Sequence, residues 1–66
     1  MKLEQALKDY YKTCLLAKEM HAKEHNDKQV EYFTVMLVAL MAVAFLGEVD
    51  LSQDYKEVME QVKKES

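Results

Sequence analysis

Sixty-six residues make one domain at most, near the lower limit for a chain that folds alone, and leave no room for a multi-domain enzyme. All nine basic residues are lysine and twelve residues are acidic, giving a net charge of −3. A nucleic-acid binder shows a basic face and arginine forks, so a nucleic-acid partner is not expected.

Small chains are stapled by disulfides, metals or oligomerisation. Cys14 is the only cysteine, which excludes an internal disulfide and fits a reducing cytoplasm, as does a start at Met1-Lys2-Leu3 without a signal peptide. All-lysine usage also points to a small reading frame from an AT-rich bacterium or phage. The acidic excess sits in the last twenty residues; residues 1–46 balance six lysines against six acids.

With no proline and a single glycine, Gly47, the chain has few helix breakers. The first segment, residues 2–25, places Leu3, Leu7, Tyr10, Cys14, Ala17 and His21 at alternating spacings of three and four, one helical stripe. This phase puts Tyr10 in the stripe, Tyr11 at its edge and Cys14 in the core, with Leu16 out of pattern. Asn26-Asp27 reads as a turn and helix N-cap. The second segment, 28–46, ends at Gly47, a natural left-handed C′ residue. The third, 51–64, carries Leu51, Tyr55, Val58, Met59 and Val62 on one stripe, and Asp50 and Gln53 have capping-box spacing. The expected fold is all-α: a three-helix unit of two long helices and a shorter C-terminal one, forming a single domain over 1–66.

The twelve residues from Val35 to Leu46 include no polar side chain. A helix apolar all round must be covered all round. One face, Phe33, Leu37, Leu40 and Ala44, and a second, Tyr32, Val35, Ala39, Ala42 and Leu46, are expected to pack against the other two helices. The third, Thr34, Val38, Met41 and Phe45, then lacks a cover within the chain and is the expected interface of a homo-oligomer. A bilayer is the less favoured cover. The uncharged run Tyr32–Gly47 spans about 24 Å against a hydrocarbon core of roughly 30 Å, and acids flank it at Glu31, Glu48 and Asp50.

The pentapeptide HAKEH, residues 21–25, resembles the H-x-x-E-H pattern of the inverzincin metalloproteases. That resemblance implies His21 and His25 as zinc ligands and Glu24 as general base, but it covers five residues only. A peptidase also needs a further ligand and a cleft. Cys14 stands about 10 Å from His21 along a helix, too far to share one ion. Histidines closing a helix suit the negative end of its dipole, and that structural role is the expected one. No catalytic residue, metal or cofactor is expected. The sequence favours a small non-enzymatic cytoplasmic interaction or regulatory protein, partnered by itself and by another protein. A metal- or small-molecule-binding oligomer, with a pocket lined by Tyr10, His21 and His25, is the alternative, followed by a small membrane protein.

Overall fold

A computed structural model describes residues 2–65, apart from the Lys2 side chain. It comprises α1 (Lys2–Lys23), α2 (Asp27–Leu46) and α3 (Ser52–Glu65), with no strand among the described residues. The chain is an all-α, three-helix protein. Helix α1 is the central element. Both α2 and α3 pack on it, and their backbones do not approach one another. The Cα trace measures 35 × 25 × 16 Å, a flat arrangement in which α2 has α1 on one side only.

This topology shifts the phase of α1. Its core residues are Tyr11, Cys14 and Leu15, each at most 4% exposed, whereas Leu3 is 76% exposed and Tyr10 half exposed. The stripe through Leu3, Leu7, Tyr10 and Ala17 is therefore not the axis of burial. A helix held between two others is buried deepest on the arc that faces both, and in α1 that arc runs through Tyr11 and Leu15. Leu37 of α2 and Val58 of α3 complete the core, with Leu16, Phe33, Met36, Leu40, Leu51, Met59 and Val62 packed against it. Leu16, out of phase with the expected stripe, is an edge contact of this wider arc.

Leu51, just before α3, and Val58, Met59 and Val62 on it face the core as expected, but Tyr55 is half exposed and Asp54 is buried in its place. The residues 54, 58 and 62 recur every four positions, so the buried line tilts across the helix and takes the carboxylate inward.

Both inter-helix turns use the same stop. The Asn26 amide donates to the His21 carbonyl at 3.0 Å and His25 to Ala22 at 3.2 Å; Val49 donates to Ala44 at 2.8 Å and Glu48 to Phe45 at 3.2 Å. These paired bonds form Schellman motifs, which need a left-handed residue at C′. His25 (φ 58°) and Glu48 (φ 57°) fill that position, and Gly47 (φ −91°) does not. Gly47 thus precedes the strained residue by one place, which corrects its expected role. Asn26 precedes α2 as expected, but its side chain makes no capping bond. At α3 the Asp50 carboxylate accepts from the Ser52 amide at 2.9 Å, with no returning bond from Gln53 among the described residues. Those bonds from Ser52 lower the Asp50 pKa, assisted by Lys8 and Lys56.

Candidate interaction surface

The inward side of α2 matches the first expected face: Leu37 and Ala44 are buried, Phe33 and Leu40 half-buried. The second expected face is not covered. Tyr32, Val35, Ala39, Ala42 and Leu46 are all exposed, Leu46 to 82%. The reason is topological: α3 docks on α1, so nothing among the described residues reaches the far side of α2. The third face, Thr34, Val38, Met41 and Phe45, is also exposed, Phe45 to 82%. The uncovered surface is therefore one broad apolar face made of both sets, about twice what the sequence implied.

This surface offers few polar anchors. The Thr34 hydroxyl donates to the Val30 carbonyl at 2.7 Å, so its one donor is spent within the helix. No charged side chain lies between Tyr32 and Leu46; Lys28 and Glu31 flank one end, Glu48 and Asp50 the other. Beside the C-terminal end of α2 an open groove of about 490 Å³ runs between Leu3, Leu7 and Tyr10 of α1 and Val43, Gly47 and Val49. Its lining is predominantly apolar.

The chemistry-bearing residues lie elsewhere and apart. Helix α1 ends at Lys23, so His25, placed by the sequence at the end of a helix over residues 2–25, falls in the turn and does not share a helical face with His21. The His21 ring stacks on Phe33 at 5.7 Å between centroids, with Nδ1 3.6 Å from Glu24 Oε1, too long for a hydrogen bond. Tyr10 lines the groove at the opposite end of α1, so a pocket of Tyr10, His21 and His25 is not assembled within one chain. Among the described residues no three His, Cys, Asp or Glu side chains are grouped to hold a metal. Burial raises the Cys14 thiol pKa, partly opposed by a hydrogen bond with Tyr10, which disfavours the reactive thiolate.

One polar cluster escaped the sequence reading. Asp54 is 6% exposed; its Oδ1 lies 3.7 Å from Lys12 Nζ, which also donates to Glu57 Oε2 at 3.3 Å, and the Oδ2 of Asp54 has no hydrogen-bond partner among the described residues. Burial raises the Tyr11 pKa, and the electrostatic influence of the neighbouring Tyr55 and Asp54 adds to the rise. These groups join α1 to α3. The available signal was the four-residue spacing from Asp54 to Val58 and Val62.

Comparison with protein-family models, curated proteins and solved structures finds no match for this chain.

Proposed function

We propose that the protein is a small non-enzymatic interaction or regulatory protein of the cytoplasm that works as a homo-oligomer, with Thr34, Val38, Met41 and Phe45 in its interface. The observation that carries this reading is the continuous apolar face of α2, from Tyr32 to Leu46, left uncovered by α1 and α3. Large exposed apolar patches mark surfaces that dock on something. Burying a side chain such as Val38, Met41 or Phe45 is worth roughly 1.5–3 kcal/mol, a sizeable fraction of the 3–5 kcal/mol available to a core of this size. The face also presents a surface for another protein, which an affinity pull-down from the native host would identify. Sedimentation of the purified chain across a concentration series tests the oligomer: a concentration-dependent mass supports it, and a monomer throughout overturns it.

A second reading has its own observation. Helix α2 is long and apolar enough to cross a bilayer, and most of that length is exposed. The acids at Glu31, Glu48 and Asp50, and the absence of a lysine rim on α2 beyond Lys28, weigh against lipid. Partition of the protein into detergent micelles, with insolubility in their absence, would favour the membrane.

A further inference from the structure

We infer that α2 pairs with α2 of a second copy in antiparallel fashion about a two-fold axis beside Ala39 and Met41. This deepens, and rests on, the self-association proposed above.

The exposed residues of α2 carry a seam of their own. Val35, Val38, Ala42 and Phe45 recur at intervals of three, four and three, the spacing by which one helix packs along another. On a helical wheel the seam lies on the side of α2 opposite Leu37 and Ala44, the residues buried against α1. Tyr32, Ala39 and Leu46 border it on one flank, Thr34 and Met41 on the other, and all are exposed. An inward seam and an outward seam on one helix suit a second helix on the far side.

The area fits a second copy. At ~150–200 Å² for a fully exposed large side chain, the exposures of Tyr32, Val35, Val38, Met41, Phe45 and Leu46 amount to roughly 700 Å². A specific interface buries ~800 Å² on each partner.

Size and charge set the direction. Antiparallel pairing centred near residue 40 places Val35 against the second copy's Phe45 and Val38 against its Ala42, large against small. Ala39 and Met41 then meet their own counterparts on the two flanks, and Tyr32 meets the second copy's Leu46. Every exposed apolar residue from Tyr32 to Leu46 except Val43, which lines the groove beside α1, then faces apolar surface. A parallel pair would set Phe45 against Phe45 and crowd Glu48 and Asp50 against their own copies. The antiparallel pair separates those acids from their own copies, setting them instead beside Asp27, Lys28 and Glu31 of the second copy, where one lysine offsets part of the acidic charge, and it opposes the two helix dipoles. Lipid would leave this register without purpose.

Cross-linking with a short bismaleimide reads the geometry. Tyr32→Cys and Leu46→Cys are made in the full chain, studied singly and after mixing and refolding together, with circular dichroism to confirm helicity. The wild type, whose only thiol is the buried Cys14, is the control. The expected result is several-fold more linked dimer in the mixture than in either variant alone. Linkage of each variant to itself, without the mixed product, would overturn the antiparallel arrangement. A dimer by sedimentation that no pair links would place the contact off this seam and leave self-association standing. A monomer at all concentrations, for the wild type too, would sink both ideas. If either variant loses its helices, Thr34→Cys with Glu48→Cys, at the polar rim of the same register, decides by the same pattern.

Discussion

The two sides of α2 are built from the same materials and meet opposite fates. The inward side has Phe33, Met36, Leu37, Leu40 and Ala44; the outward side has Val35, Val38, Met41, Phe45 and Leu46. A phenylalanine, a methionine and at least one leucine occur on both, with valines only outside, yet Leu37 is 6% exposed and Leu46 82%. Side-chain chemistry therefore does not distinguish a face that stabilises the monomer from one that stabilises an assembly. What distinguishes them is where α3 goes. By docking on α1 it deepens the core at Tyr11, Cys14 and Leu15 and leaves α2 half bare.

The sharpest way to break this comparison is to truncate neighbouring residues on the two sides. Leu37→Ala should cost about 2–4 kcal/mol, as buried leucines do, and unfold much of a marginal chain. Val38→Ala, measured at concentrations low enough for the monomer, should stay within about 0.5 kcal/mol. Urea denaturation of both variants checks the contrast; similar losses would mean that the outward side is buried in the monomer as well.

The outward side should respond in association instead. Phe45→Ala is expected to weaken self-association by about tenfold or more, corresponding to roughly 1.5–3 kcal/mol of lost apolar burial. Met41→Glu should dissociate the oligomer while leaving the helices intact, because Met41 is 47% exposed within the chain and a carboxylate there is costly only at a dry interface. Light scattering and circular dichroism on the same samples separate the two effects. Loss of helicity in dilute Met41→Glu would contradict the exposure of that face.

A smaller effect tests the turn that carries the chain from α2 to α3. Glu48→Gly should raise stability by about 1 kcal/mol, because a left-handed conformation strains a residue with a Cβ. Gly47→Ala should be tolerated, since an added Cβ there meets only ordinary contacts at 3.5 Å and beyond. Thermal melts compare them. If Gly47→Ala were the damaging change, the C′ residue would be Gly47 after all.

The smallest effects concern the charges around α3. Lys12→Ala should destabilise the chain by leaving Asp54 buried beside Glu57 without its cation. At Asp50 the folded-state pKa is depressed by the bonds from Ser52, so the ionised carboxylate contributes fully above its unfolded value of about 3.9. That contribution fades as pH falls through the lower folded value. Asp50→Asn keeps a capping side chain without the titration, and should flatten the acid limb of the stability curve below about pH 4. An unchanged acid limb would show that the cap is not formed in solution.

The sequence by itself determined that the chain is three helices, because periodicity, the absence of proline and the polar turn residues are local signals. It also determined one correct inner face, Phe33, Leu37, Leu40 and Ala44, since a buried helix must present an unbroken apolar line to its neighbour. Other features depended on where each helix docks. A stripe through Leu3, Leu7 and Tyr10 and an arc through Tyr11 and Leu15 are both apolar on α1, and only the presence of helices on two sides selects the second. The burial of Asp54 over Tyr55 goes with the docking of α3 on α1, and the left-handed turn residue is Glu48 in place of Gly47. The tertiary structure alone decided that Tyr32, Val35 and Leu46 join Val38, Met41 and Phe45 in the open: hydrophobicity prescribes that a surface seek cover, and only the packing of the other helices determines whether cover lies within the chain.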